Sequence, residues 1–485
     1  MLLALLGCTP HDRRPGDAIE VVVSQDADTI DPRFVVDAIG MRVSRLVHAG
    51  LFRLDPDTLE PVPYLAEAYR FSDDGRTLEV TLRGGVRFHS GAPFSSRDVV
   101  ATIEALKDPA VGARAAHVVS AIDRAVAVDD RHVRIHLGRA HATLLTDLEV
   151  PVLRADQARW PPDAAMALDG LGPYRVARRE PGSIDLEPAD DAALPRPARG
   201  LRIRTVHDEN ARALRLIGGE TDVAPSSFSP QLLPSLEARG LSVKSRPGAN
   251  LVYVLFRTDA GPFAEPAHRK AFALAVDREP LVRYLLDGRA RLATGLFPPG
   301  HWAHTEATPR GIGHADPAAA RALLGGARLH CTLLGSTDRL RVGIARVVAQ
   351  ELADVGIDAE VVPLELGTLL ARLSAGDFDA AILQIPELSE PNTLRVFLHS
   401  TSIPPAGANR SRVRDAEIDA ALDEGDATLD VAARRAAYAR LEARMAEQVY
   451  WVPLWHEDQI AVTSARAKSF DLSAEGRWLS LASLP

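Results

Sequence analysis

The sequence predicts an α/β protein of two or three domains, and three observations carry that expectation. At 485 residues the chain is too long for one hydrophobic core. Residues 329–385 alternate strand and helix patterns as β-α-β-α-β, an order that forces parallel strands with right-handed crossovers. Near the middle, Asn250 to Gly288 runs an apolar strand (Leu251 to Phe256) through a turn into a new helical unit, the pattern of a crossing between domains.

Each element has its own signal. Glu20 to Val23 opens the fold as a strand, Asp31-Pro32 turns the chain, and a helix over Met41 to Ala49 points Val43, Leu46 and Val47 inward. Leu78 to Leu82 alternates with period 2, and Arg83-Gly84-Gly85 suggests a hairpin into Val86-Arg87-Phe88. Ser95 and Ser96 precede a helix from about Arg97 to Leu106, and Val133, Ile135 and Leu137 mark a further strand. In the central stretch, Pro266 starts one helix and Asp277 caps a second that ends at Gly288. Leu329 to Leu334 is a strand, Asp338 caps a helix stopped by Gly356, and Ile357 to Leu364 is the next strand. Leu366 to Ala375 is a helix stopped by Gly376, and Phe378 to Ile385 closes the unit. Asp430 then caps a long helix, and Gln459 to Thr463 is a strand whose tail is too short for a domain and is expected to complete an earlier sheet.

Composition narrows the function. A net charge of −9 argues against nucleic acid, which requires a concentrated basic surface, and 5% aromatic residues disfavour a sugar cleft of stacked rings. Past the N-terminus no stretch approaches the ~20 apolar residues of a membrane span, so the mature chain is expected to be soluble. Cys331 lies in a strand pattern and reads as a small buried hydrophobe. Cys8 follows Leu5-Leu6-Gly7, the pattern at which bacterial lipoproteins are cleaved and the cysteine lipidated. Residues 1–17 are accordingly read as signal remnant and tether, with the true start upstream.

No P-loop, dinucleotide fingerprint, H-E-x-x-H, C-x-x-C or G-x-S-x-G is present, and no cofactor or metal is expected. His132, Arg134 and His136 share a strand face that reads as solvated, with His141 beyond it; no acid completes a metal set. His301 and His304 lack ligand spacing, and Asp73-Asp74 and Asp190-Asp191 read as solvated loop acids. Gly170-Leu171-Gly172-Pro173 precedes the strand-like Tyr174-Arg175-Val176 and is a turn rather than a phosphate cradle. In open parallel sheets, ligands bind beyond the carboxyl ends of the strands, which points to the loop Pro386 to Pro391.

Seven blocks in order resemble the periplasmic solute-binding proteins of the peptide/nickel/opine class of ABC importers (family 5), which includes dipeptide- and oligopeptide-binding proteins. They are Asp31-Pro32 with Gly50-Leu51; Pro63 to Glu67; Asp74-Gly75; Leu82 to Phe94 with Asp98-Val99-Val100; Gly172-Pro173-Tyr174; Pro262-Phe263 through Asp277-Arg278; and Asp316-Pro317 with Leu323-Leu324. The resemblance implies a two-lobed α/β fold joined by two crossing strands, with lobe I discontinuous (18–257 plus 456–485, carrying a subdomain at roughly 41–169) and lobe II at 258–455. It implies a monomeric, non-enzymatic, lipid-anchored receptor in the periplasm or at the cell surface. Such a receptor encloses a peptide or similar small solute by hinge closure and delivers it to membrane permease subunits. The alternatives are a binding lipoprotein outside transport and a hydrolase acting on a similar solute.

The resemblance also nominates residues. Glu387 aligns with the acid that holds a ligand ammonium, and Val36-Asp37-Ala38 with the segment that pairs its backbone with a bound peptide. Gln384, where the family usually has tryptophan, and Ile385 end the last parallel strand; Glu390 follows in the loop, and Asn409 matches an asparagine ahead of a helix. No arginine stands out as a carboxylate clamp.

Overall fold

The structure, a computed structural model, describes residues 17–162, 167–190, 196–305 and 314–485. Cys8 lies outside the described residues.

Two sheets organise the two lobes. The first has seven strands in the order Ser242–Arg246, Gln459–Thr463, Val223–Pro225, Ile19–Val23, Leu201–Thr205, Ser183–Pro188, Tyr174–Glu180. Ile19–Val23 is buried at every position and runs parallel to both its neighbours, as expected of a strand covered on both faces. The second sheet has six strands, in the order Ala290–Leu292, Trp451–Glu457, Leu251–Phe256, Ala380–Ile385, Leu329–Ser336, Ile357–Leu364. A four-stranded antiparallel sheet, backed by the helix Ser96–Lys107, forms the subdomain of lobe I.

The expected β-α-β-α-β unit forms with its punctuation intact. Leu329–Ser336 pairs in parallel with both Ile357–Leu364 and Ala380–Ile385. Asp338 caps Arg339–Val355 by accepting from the Arg341 N–H, and Gly356 ends that helix at φ 101°. Gly376 ends Leu366–Ala375 at φ 77°, a conformation that only glycine adopts without strain. Cys331 is buried there, and burial pushes its thiol up to about 12. The C-terminal strand Gln459–Thr463 does return to the first sheet, between Ser242–Arg246 and Val223–Pro225.

Two expectations are corrected. The strand Thr77–Leu82 does not form a hairpin with Val86-Arg87-Phe88. It pairs with Ala66–Phe71 through the tighter turn closed by Gly75 N–H donating to Ser72, and Val86 to Phe94 closes a small loop of its own. The strand Leu251–Phe256 does not span the lobes either. All six residues pair with Ala380–Ile385, and four of them with Trp451–Trp455, so 251–257 and 456–457 sit with the second sheet. Between Ser242–Arg246 of the first sheet and Leu251–Phe256 of the second the chain runs through Pro247 to Asn250, and between Trp451–Glu457 and Gln459–Thr463 it crosses back at Asp458. Asn250 stitches the two passages together: its Nδ2 donates to the Glu457 carbonyl (2.7 Å) and its Oδ1 accepts the Glu457 N–H (2.9 Å). A side chain at Gly248 would collide with Asn250 and the Glu457 carbonyl.

Candidate functional site between the lobes

The lobe I wall of the site is the helix Ala38–Val47. Asp37 caps it, Oδ1 accepting the Gly40 N–H at 2.7 Å, while Oδ2 is buried without a hydrogen bond. Burial raises the Asp37 carboxyl, and the bond from Gly40 only partly offsets it. The other end of the helix lies against Gly170 and Gly172. A Cβ at Gly172 would fall 2.5 Å from the Leu46 carbonyl oxygen, and one at Gly170 would overlap that of Val47. The G-x-G is therefore a packing device that lets the chain lie on the end of this helix.

From this helix Arg45 reaches across to Glu387, in the loop after the last parallel strand of the second sheet. The pair is bidentate, Nη1 to Oε1 at 2.9 Å and Nη2 to Oε2 at 3.1 Å. Arg477, from the C-terminal tail packed on lobe I, stands 3.6 Å from the same carboxylate and is also paired with Glu149. Burial pushes the Glu387 carboxyl up, but Arg45, Arg477 and Arg42 outweigh it and hold the group at about 2. Glu387 is thus a fixed negative charge across the working pH range. Its loop is tied to the crossing, since the Leu388 N–H donates to the Ala249 carbonyl at 2.7 Å.

At the carboxyl end of the same sheet Arg341 pairs with Glu457 (Nη2 to Oε2 at 2.6 Å) and approaches Gln384 at 3.3 Å. The Trp455 indole N–H donates to Glu457 as well. A second ionic bridge joins the subdomain to lobe II. His141 is buried with Nε2 2.6 Å from Asp147 and Nδ1 2.6 Å from Asp426 of the helix Ala416–Ala427, and Arg139 also pairs with Asp426. The Ala142 N–H donates to the Asp426 carbonyl, and Asn392 donates to its side chain. Burial alone would push the His141 imidazole down; its bonds to Asp147 and Asp426 win and raise it to about 9.

The nominated residues separate into two groups. Glu387 and Gln384 lie at the junction, and Asp37 lies on the helix that faces it. Val36 is 53% exposed and Ala38 already belongs to the helix, while the Asp37 carbonyl accepts from Met41. The segment 36–38 is therefore a helix start, with Val36 exposed ahead of the cap. Ile385 is a core residue, 3% exposed and paired with Leu251. Glu390 caps the turn Pro391–Thr393 and pairs with Arg434, with burial holding its carboxyl above the usual range. Asn409 is fully buried: its Nδ2 bonds the Leu398, His399 and Val413 carbonyls and its Oδ1 takes the Val413 N–H, so it fixes its own loop.

Sequence reasoning missed Arg42, Arg45, Arg341 and Arg477. For Arg42 a signal existed: it lies between Ile39, Val43 and Leu46 on the inward stripe of its helix, where a charge needs a reason. The solvated-face reading holds for His132, which is exposed against Asp129, whereas His141 finds one acid six residues on, at Asp147, and the other on a distant element, at Asp426. Among the described residues no cluster of His, Cys, Asp and Glu could hold a metal.

Residues 60–402 match the family model described as bacterial extracellular solute-binding proteins, family 5 middle. This chain belongs to that family. Among curated relatives, this family 5 protein is 28% identical over 457 residues to the probable di/tripeptide-binding protein 5 of Pseudomonas aeruginosa, with 86% of this chain and 85% of the relative covered. It is 26% identical to the glutathione-binding protein of Salmonella choleraesuis, covering 93% and 91%. Among solved structures, it is similar to the Helicobacter pylori periplasmic binding protein DppA in complex with peptide STSA, at TM-score 0.86, 21% identity and 96% and 97% coverage. It is likewise similar to NikZ of Campylobacter jejuni in complex with Ni(L-His), at TM-score 0.85, 22% identity and 96% and 98% coverage. The two-lobed fold of this family 5 protein is that of periplasmic binding proteins.

Proposed function

We propose that this family 5 protein captures a short peptide, or a solute of similar size and charge, between its lobes and hands it to the permease of an ABC importer. The observation that carries this reading is Glu387: a carboxylate ionised at every working pH, placed at the junction of the lobes on a loop tethered to the crossing. A ligand ammonium taken out of water requires such a counter-charge, and it takes the place of Arg45 on this carboxylate. The di/tripeptide- and glutathione-binding relatives support the ligand class.

Binding acts through an open-closed equilibrium. Arg45–Glu387 and His141–Asp426 join opposite lobes and exist only when the lobes are together. A solute that touches both lobes has a higher affinity for the closed form, and only that difference can shift the equilibrium. The permease reads the closed form. On this reading the protein is a monomer that binds without turnover, and a lipidated Cys8 holds it to a membrane at the periplasmic or outer face.

A panel of di- and tripeptides followed by thermal shift tests the reading. At least one peptide should raise the melting temperature, because a ligand bound only by the folded state stabilises it. Glu387→Gln should weaken that peptide's binding by about 10- to 100-fold, the loss of one charge-assisted hydrogen bond. No shift across the panel, or release of hydrolysed peptide, would defeat it.

A further inference from the structure

Arg45 has two carboxylates within reach, one on each side of the cleft. Across the cleft it is bidentate on Glu387, at 2.9 and 3.1 Å, and so engages both oxygens of that group. On its own lobe, its Nη2 stands 3.7 Å from Oε2 of Glu149, inside ion-pair range and beyond a hydrogen bond. Glu149 lies just past the short helix Leu144–Asp147 of the subdomain and accepts from Arg477 of the C-terminal tail at 2.9 Å. A carboxylate offers about four lone-pair sites, so Glu149 has room for a second guanidinium beside Arg477. The side chains of Arg45 and Glu387 are 21% and 17% exposed, which leaves water a route to the pair.

The two pairings belong to different states of the protein. Arg45 on Glu387 spans the lobes and needs no solute, whereas Arg45 on Glu149 stays within lobe I and leaves Glu387 open. A carboxylate enclosed between two lobes without a partner is costly, so closing without solute calls for a cation of the protein's own at Glu387. Arg45 supplies it. The exchange is short, since an ordinary bond to Glu149 needs a movement of about 0.8 Å at Nη2 (3.7 to 2.9 Å). An ion pair that water still reaches is also readily exchanged.

We propose that Arg45 is a displaceable plug: it holds the cation site of Glu387 and draws the lobes together before solute arrives, then moves to Glu149 when a cationic group takes its place. This rests on the reading of Glu387 given above and adds a means of regulating that same site. The plug sets a threshold for entry. A solute without a cation leaves Arg45 on Glu387, and a cationic one binds only by the margin between its own pairing and that of Arg45. Because the plugged form competes with solute, the apparent affinity falls with the fraction of protein that is plugged. Removal of Arg45 therefore strengthens binding, the reverse of what losing a ligand contact does.

Four proteins test it: the wild type, Arg45→Gln, Glu149→Gln and the double variant. Each is titrated with Ala-Ala by calorimetry and measured without solute by small-angle X-ray scattering, and Glu387→Gln is titrated beside them. Arg45→Gln should bind Ala-Ala about 10-fold more tightly than the wild type, the lower end of what a charged hydrogen bond is worth. Its solute-free form should also have the larger radius of gyration. Glu149→Gln should weaken Ala-Ala binding alone but not in the Arg45→Gln background, because only a displaced Arg45 needs Glu149. Binding no tighter in Arg45→Gln, or solute-free proteins of equal radius, overturns the plug. Glu387→Gln separates this from the reading beneath it. If that variant binds Ala-Ala as the wild type does, the ammonium reading of Glu387 fails and the plug with it. If Glu387→Gln and Arg45→Gln both weaken binding, that reading stands and the plug alone falls. If Ala-Ala binds none of the proteins, scattering decides: an Arg45→Gln form as compact as the wild type overturns the plug, and a more open one supports it.

Discussion

Asn250 does with one side chain what a pair of strands does with its backbone: it offers a donor and an acceptor to the Glu457 carbonyl and N–H across the two crossings. Asn250→Ala would leave both backbone groups unpaired at a site where Gly248 already brings the chains too close for a side chain. The expected loss is about 2–4 kcal/mol, from two buried polar groups at roughly 1–2 kcal/mol each. Chemical denaturation measures it, and a loss below ~0.5 kcal/mol would mean that water replaces the amide without penalty. Asn409, by contrast, spends its amide entirely on its own loop, which is why a matching asparagine in sequence carried no information about ligand.

Among elements, the helix Ala38–Val47 carries two of the site's four arginines, Arg42 and Arg45, and depends on close backbone approach at Gly172. Gly172→Ala should destabilise the protein by about 1–3 kcal/mol, the usual cost of forcing an extra carbon into packed structure. It should also alter solute binding, because the Cβ pushes on the Leu46 carbonyl one residue from Arg45; a variant of native stability and native affinity would show that the helix end yields freely. What was legible in the sequence follows the same local logic. Asp338, Gly356 and Gly376 announced the β-α-β-α-β unit because caps and left-handed stops are decided within a few residues. The hairpin at 77–88 was misread because two turns compete there, and the choice of partner for Thr77–Leu82 depends on the tighter one. Topology nominated only the loop after the last parallel strand, and the family resemblance singled out Glu387 within it. Its partner Arg45 is 342 residues earlier in the chain, a pairing that only the assembled lobes define.

For the whole molecule, the far bridge at His141 gives closure a dependence on pH. Its imidazole titrates near 9 in the folded protein against about 6.5 in an unfolded chain, so the contribution is complete below about pH 6.5 and is lost as the pH rises through 9. The melting temperature of the wild type should exceed that of His141→Gln at pH 6, and the gap should narrow by pH 9.5. A gap that is unchanged over this range would mean that the bridge does not depend on a charged imidazole. Glu387 adds nothing to this window, since its contribution falls away only as the pH drops toward 2.

The return of Gln459–Thr463 to the first sheet has a consequence for the order in which the chain can fold. That strand sits between Val223–Pro225 and Ser242–Arg246, and Tyr174 further holds the tail through the Leu481 carbonyl. A chain made from its N-terminus therefore has Ile19–Val23 long before Gln459–Thr463, and cannot complete the sheet around it until that last strand exists. Contacts so distant in sequence form slowly. The first lobe thus remains open until Gln459–Thr463 has been made, the condition in which an exported chain can still be threaded across a membrane.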